Sequence, residues 1–254
     1  MLPKKEKEMK KISILLAAFL ITTALSGCGS GGSGENEEKE MKIIDLTHMM
    51  TEGMPVFPGD DEPTFQKVTT HEEDGYMMTH ISTWSHVGTH MDSPAHIIAG
   101  TKTLDEFPIE KFIGRAYVID CTDLEEGQEI TIDYIDRNRD KADKAEFILF
   151  CLGWDKYWGT DQYYGEFPII DDEVAQYLIE SGKKGVGYDV ISPDPIESEE
   201  LEVHNALLEH EIVILENLKN LNLCGSDLFT LYALPLYYEN SDGAQTRAIA
   251  VLEK

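Results

Sequence analysis

The sequence predicts an α/β fold with a mixed β-sheet and flanking helices in a single domain. Apolar and β-branched runs of strand length outnumber the helix-like segments. The helix-like segments fall between those runs, which argues against a helical bundle and a pure β-sandwich. The chain has 254 residues and is 42% hydrophobic, enough apolar mass for one sizeable core.

In chain order, Lys42–Thr47 is a short strand candidate and Met54–Asp61 a loop rich in Pro and Gly. Tyr76–Ser85, rich in aromatic and β-branched residues, reads as a strand. Phe112–Thr122 and Ala145–Gly153 are apolar runs of strand length. Asp171–Lys183 starts with two Asp and places Val174, Tyr177 and Leu178 on one helical face. Gly185–Ile191 is a strand ending in S-P-D-P, and Leu201–His210 a short helix. Glu211–Leu215, Leu228–Leu236 and Ala248–Leu252 are the closing strands.

The N-terminus reads as a targeting segment. Five Lys between residues 4 and 11 precede an apolar run from Ile12 to Leu25, and then L-S-G-C ends at Cys28. The run is about 14 residues, below the ~20 a spanning helix needs, so residues 1–27 form a secretory signal. The small residues before Cys28 resemble the lipobox of bacterial lipoproteins. That resemblance implies lipidation of Cys28 and anchoring to the cell membrane on its extracytoplasmic face. Residues 28–40 carry no aliphatic or aromatic residue beyond the start of the tether and read as a flexible acidic and Gly/Ser linker. The domain proper is 41–254.

The formal net charge is -27, from 21 Lys and Arg against 48 Asp and Glu. Removing the leader, with five Lys and two Glu, takes the mature chain to -30. Such acidity excludes nucleic acid as a natural partner and argues against a basic lipid-binding patch. Four Cys in this length do not form a disulfide scaffold. Cys121 and Cys151 lie in apolar runs and read as buried small hydrophobes.

The densest chemical signal is S-H-V-G-T-H-M-D-S-P-A-H, which sets His86, His90, Asp92 and His96 at offsets of 0, 4, 6 and 10. Imidazole and carboxylate together suit Zn²⁺ or Mn²⁺. A lone His is usually a core or surface residue satisfied by hydrogen bonds; three with an Asp at this density point to a metal. On a straight strand His86 and His90 would stand about 13 Å apart, too far to share an ion. A bend is required, and Gly88 is placed to supply it. Pro94 argues against a continuous helix. His204 and Glu216 form a weaker second signal; by spacing alone a Glu at a strand end is as well a solvated or capping residue. His48, in D-L-T-H, is a candidate for the pocket wall. Trp84, Trp154, Trp158, Tyr163 and Tyr164 either line a pocket or pack the core.

The stretch H-V-G-T-H-M-D-S-P-A-H resembles the H-x-G-T-H-x-D-x-P-x-H signature of metal-dependent cyclase-family hydrolases, which include bacterial kynurenine formamidases (arylformamidases) and isatin hydrolases. I-I-D-L-T-H at 43–48, P-V-F-P-G-D at 55–60, G-V-G-Y-D-V-I-S at 185–192, H-N-A-L-L and I-V-I-L-E-N-L resemble further family blocks. The similarity covers about residues 42–253. It implies a swivelling β/β/α fold. It implies a first metal on His86, His90 and Asp92, and a second on Asp92, His204 and Glu216. Single-metal relatives carry Gln in place of the Glu, so Glu216 favours two ions, Zn²⁺ or Mn²⁺. His96 is implied as the proton-transfer residue. Phe57 stands where formamidases place a Trp against their aromatic substrate, a departure from the pattern.

The expected activity is hydrolysis of an amide, lactam or lactone in a small molecule, aromatic or cyclic, by a metal-activated water. A homo-oligomer, dimer or tetramer, is the expected assembly. The rival reading is a lipid-tethered metal- or solute-binding protein without catalysis. His96 separates the two, because a carrier needs no proton-transfer residue beside its ligands. No G-x-S-x-G elbow is present, which argues against a serine hydrolase.

Overall fold

The computed structural model describes residues 41–253. The expected signal segment 1–27, the tether 28–40 and the lipidation site Cys28 lie outside the described residues. The first strand, β1 (Met41–Asp45), is followed by β2 (Thr64–Thr69), the single turn α1 (His71–Asp74), β3 (Met78–Ser82) and β4 (His90–Asp92). Then come β5 (Ile113–Asp120), β6 (Glu129–Ile130), α2 (Ile132–Asp136), α3 (Arg139–Ala142) and β7 (Phe147–Cys151). The chain finishes with β8 (Ile169–Ile170), α4 (Asp172–Glu180), β9 (Gly185–Tyr188), α5 (Glu202–Leu208), β10 (Val213–Glu216), β11 (Phe229–Pro235) and β12 (Gly243–Glu253).

The main sheet runs β1-β12-β11-β5-β7-β9-β10-β4. Its centre, β5-β7-β9-β10, is parallel, and its other pairings are antiparallel. β12 is long enough to pair with β1 along Ile249–Glu253 and with β4 along Gly243–Gln245. The β4–β12 pairing closes the sheet on itself. This is the expected mixed α/β sheet with flanking helices.

Side-chain alternation divides the core in two. Ala116, Val118, Phe147, Leu149, Val213 and Leu215 fill one cluster. Their alternates Tyr117, Ile119, Ile148, Phe150 and Ile214 join the other, against residues of α2, α4 and α5. Burial on both faces explains the unbroken apolar runs of the parallel strands. In β9 the residues facing the first cluster are Gly185 and Gly187. A Cβ on Gly187 would stand 2.6 Å from Leu149 Cδ2, so glycine is what lets these strands pack. A buried Leu, Ile or Phe contributes roughly 1.5–3 kcal/mol. Exposed ion pairs such as Lys102–Glu211 contribute about 0–1 kcal/mol each, so the two apolar clusters hold the sheet.

Helix α4 starts where its two Asp predict: Asp171 is the N-cap, and its side chain accepts from Val174 N–H. The expected Tyr76–Ser85 strand is shorter and pairs with an unforeseen partner, β2. Phe112 closes a 3₁₀ turn, and β5 begins at Ile113. β12 begins at Gly243, five residues before the expected Ala248, because Gln245, Thr246 and Arg247 broke the apolar pattern there. β4 has three residues and carries no apolar run to announce it.

Candidate metal centre

In β4, Met91 points into the sheet core while His90 and Asp92 point the other way. β10 lies antiparallel beside it with Glu216 opposite His90, so Glu216 shares that face. Gly88, at φ 71°, supplies the bend, and the rings of His86 and His90 approach to 5.1 Å instead of spreading along a strand. Gly243 of β12 lies opposite Asp92. A Cβ there would stand 2.3 Å from Cε1 of His86, so Gly243 makes the space that the ring fills. The Pro94–His96 turn returns His96 over His86, and the two rings stack at 3.7 Å. His204 enters from α5.

Hydrogen bonds aim the imidazoles. His90 Nδ1–H donates to the Gly88 carbonyl at 2.8 Å. Its Nε2 then faces Asp92 Oδ1 at 3.2 Å and Glu216 Oε2 at 3.4 Å. His204 Nδ1–H donates to Asp194 Oδ2 at 2.6 Å, and its Nε2 faces Glu216 Oε1 at 3.4 Å and Asp92 Oδ2 at 3.8 Å. Asp194 also accepts the backbone N–H groups of Val203 and His204, so one carboxylate caps the helix and orients the ring. His86 lies between Asp92 Oδ1, 2.7 Å from Nδ1, and Asp242 Oδ2, 3.2 Å from Nε2.

Two donor sets therefore overlap at Asp92: His86, His90 and Asp92, and Asp92, His204 and Glu216. Within each set one donor atom per residue lies within 4.8 Å of the others. His90 Nε2 and Asp92 Oδ2 are buried and have no hydrogen-bond partner among the described residues. Buried polar atoms are normally paired. Two unpaired ones within one group of nitrogen and oxygen donors fit a divalent cation. His86, His96 and Asp242 form a third, more open group.

The electrostatics follow from burial and acid density. At His86 burial opposes the charge, but Asp92 and Asp242 outweigh it and raise the pKa to about 10. At His204 burial is likewise outweighed, by Asp194, Glu216 and Asp92, and the pKa rises to about 10. His90 is raised against burial chiefly by Asp92. Asp92 itself is held well below the usual carboxylate range: burial is overcome by His90 and His86. Burial and the Asp92 charge push Glu216 up. Burial lowers His96 to about 4, with the neighbouring histidines adding to it against Asp92. The ring of His96 is thus neutral at pH 7, well below an unperturbed imidazole.

The cluster opens on a cavity of about 460 Å³, with Phe57, Trp84, His86, His96 and Asp242 on its wall. His48 is placed elsewhere: it is buried, stacks on Trp158 at 3.9 Å, and does not line that cavity. Its backbone N–H donates to Thr89 Oγ1, so it backs the strand that carries His90. Trp154 and Tyr163 are core residues. Cys121, Cys151 and Cys224 are buried free thiols. Asp194 and Asp242 were not foreseen. Asp194 had a faint signal, an Asp between two Pro ten residues before His204; Asp242 in S-D-G had none.

Fold and donors together define a class: a closed mixed α/β sheet with a His/Asp/Glu donor cluster on β4, α5 and β10. A family model described as putative cyclase matches residues 44–195. The chain belongs to the cyclase family. It is 29% identical over 212 residues to the kynurenine formamidase of Bacillus anthracis, covering 83% of this chain and 98% of that protein. Isatin hydrolase A from Labrenzia aggregata, solved with benzyl benzoate, superposes with a TM-score of 0.77 at 24% identity, over 84% of this chain and 94% of that one; this likeness shows the fold. A structure described as a potential metal-dependent hydrolase with cyclase activity superposes at 0.70 with 25% identity, over 85% and 100% of the two chains.

Proposed function

We propose that the protein is a metal-dependent hydrolase that cleaves a C–N bond in a small amide or lactam, as the kynurenine formamidase and isatin hydrolase relatives are named for doing. The observation that carries this is the paired donor sets meeting at Asp92, with His90 Nε2 and Asp92 Oδ2 unpaired and buried between them. His86, His90 and Asp92 hold one divalent cation and Asp92, His204 and Glu216 a second, Zn²⁺ or Mn²⁺. A bound cation of this kind acidifies water towards a pKa of about 7 and polarises a carbonyl.

The chain's own groups do the rest. Asp194 fixes the His204 tautomer that leaves Nε2 free, and Gly88 O does the same for His90. The neutral ring of His96 accepts the proton of the attacking water and returns it to the leaving nitrogen. Its low pKa makes it a weak base but a strong acid once protonated, which suits the second transfer. Phe57 and Trp84 receive the substrate body. A binding protein without chemistry has no use for His96 stacked on His86 and facing the same cavity.

The test is hydrolysis of N-formylkynurenine, isatin and simple lactones by protein loaded with Zn²⁺ or Mn²⁺, with elemental analysis of the same sample. Turnover abolished by chelation and restored by metal is expected. No turnover of any amide or lactam by metal-loaded protein would refute the reading.

The protein is also proposed to be a lipoprotein, processed after residue 27, lipidated on Cys28 and held at the extracytoplasmic face of the membrane. The leader, the L-S-G-C stretch and the tether support this. Among the described residues no helix is long and apolar enough to cross a membrane. Cys28→Ala is expected to release the protein from the membrane fraction with hydrolysis intact; retained protein with no lipid mass on Cys28 would sink the claim. A homo-oligomer is proposed as well, supported by the exposed β2–β3 ribbon with Val68, Met78 and Ile81.

A further inference from the structure

The Gly88 carbonyl that aims His90 accepts two hydrogen bonds. One comes from His90 Nδ1–H at 2.8 Å. The other comes from Asn217 Nδ2–H at 3.0 Å. A carbonyl oxygen has two lone pairs, and both are used here. Asn217 follows Glu216 directly in the chain and is buried. One amide side chain therefore ties the bend before His90 to the end of the strand that carries Glu216.

Chemistry fixes which way that amide points. The Gly88 oxygen only accepts, so Nδ2 and not Oδ1 must face it. Oδ1 then meets the Tyr163 hydroxyl, which donates to it at 2.7 Å. Tyr163 is fully buried, and its own carbonyl accepts Trp154 Nε1–H at 3.1 Å. The backbone of Asn217 is pinned as well. Its N–H donates to the Val190 carbonyl at 2.8 Å, and its carbonyl accepts the Thr89 hydroxyl. Its φ is 55°, in the left-handed region that asparagine enters more readily than most residues with a Cβ.

We propose that Asn217 is a positioning residue of the metal centre, with Tyr163 as its anchor: the amide locks the Gly88 carbonyl, and through it the tautomer and direction of the His90 ring, to the strand bearing Glu216. The inference rests on the reading of the donor cluster as a divalent-cation site. Without the amide, His90 alone holds the Gly88 carbonyl, and the peptide is free to tilt and take the acceptor of Nδ1–H with it. Bonds from imidazole to such a cation are about 2.0–2.1 Å long, so a small tilt of the ring is felt at the ion. His204 is held separately by Asp194. The effect therefore falls on the ion that His90 binds.

The test variant is Asn217→Gly, which removes the amide and keeps the left-handed backbone without steric cost. Zn²⁺ dissociation constants are measured by chelator competition. Co²⁺ is then loaded to saturation, so that its visible absorption bands report the ligand field, and turnover of N-formylkynurenine, isatin and simple lactones is followed on the same samples. Asn217→Gly is expected to weaken one Zn²⁺ by about tenfold, the lower end of what the hydrogen-bond partners of ligand imidazoles are worth, and to change the Co²⁺ bands. Tyr163→Phe keeps the ring in the core and removes only the hydroxyl; it is expected to act in the same direction and less. A residue that only supports the fold lowers the melting temperature and leaves the affinity and the Co²⁺ bands of the loaded site as in the wild type. That result in Asn217→Gly overturns the proposal. If Asn217→Gly does not fold, the same result in Tyr163→Phe overturns it. A wild type that binds neither Zn²⁺ nor Co²⁺ overturns it together with the cation-site reading. A wild type that binds metal, with Asn217→Gly responding as stated and no substrate turned over, upholds the positioning role and sinks the hydrolase reading alone.

Discussion

His96 and Gly243 show how much single side chains decide in this cluster. His96→Asn removes a ring that stacks on His86 but belongs to neither donor set that meets at Asp92, so metal content is expected to stay near that of the wild type. Turnover is expected to fall by about 10²–10⁴-fold, the usual worth of a positioned proton-transfer group. Loss of metal together with activity would instead make His96 a ligand. Gly243→Ala tests space instead of chemistry. The new Cβ meets the His86 ring at 2.3 Å from Cε1 and 2.6 Å from Nε2, and the ring has to move. Metal affinity is expected to drop about 10–100-fold, with the fold kept because Gly243 belongs to a strand with regular pairing. Unchanged affinity in that variant would show that His86 is no ligand.

At the scale of elements, α5 and the loop before it act as one unit through Asp194. Asp194→Ala removes the acceptor for Val203 N–H, His204 N–H and His204 Nδ1–H together. A buried donor left unpaired costs about 1–3 kcal/mol, so the melting temperature is expected to fall by several degrees. Metal occupancy should fall with it, since the ring loses the bond that fixes its tautomer. A normal melting temperature with normal occupancy would remove Asp194 from this role. The β2–β3 ribbon poses a different question. Every residue of β3 is exposed, and a two-stranded ribbon alone is marginally stable. Replacing Met78 and Ile81 together with Ser is expected to shift the sedimenting species towards monomer; an unchanged sedimentation coefficient would leave the ribbon without an assembly role.

For the whole molecule, the linked quantity is metal binding and pH. His86 and His204 are raised from 6.5 to about 10 in the metal-free fold. Their ion pairs stabilise that fold fully below pH 6.5, and the contribution is lost as pH rises through about 10. Asp92 and Asp242 are lowered, Asp242 to about 2 through its hydrogen bond to His86. Their contribution is present above pH 3.8 and lost as pH falls through the depressed values. A cation competes with the protons on the histidines, so its binding releases protons and tightens from pH 6.5 upwards. The rise in melting temperature caused by saturating Zn²⁺ is expected to grow between pH 6 and pH 9. A rise independent of pH over that range would show the histidines to be neutral before metal arrives.

Local chemistry is legible wherever it is written in neighbouring residues. The α/β class followed from doubly buried runs such as F-I-L-F-C, whose alternate residues pack on the two faces of a covered sheet. The cluster His86, His90, Asp92 and His96 was legible because its members share one short segment, and the need for a bend at Gly88 followed from strand rise alone. His204 and Glu216 became candidates through family resemblance; their own spacing carried little. Tertiary structure decided what depends on partners distant in the chain. It set Glu216 across from His90 by sheet register, brought Asp194 to His204 and Asp242 to His86, and turned His48 away from the cavity onto Trp158. It also lowered His96 to about 4, because a pKa is set by burial and by neighbouring charges. A sequence orders side chains along a strand; only closing the sheet determines which of them meet.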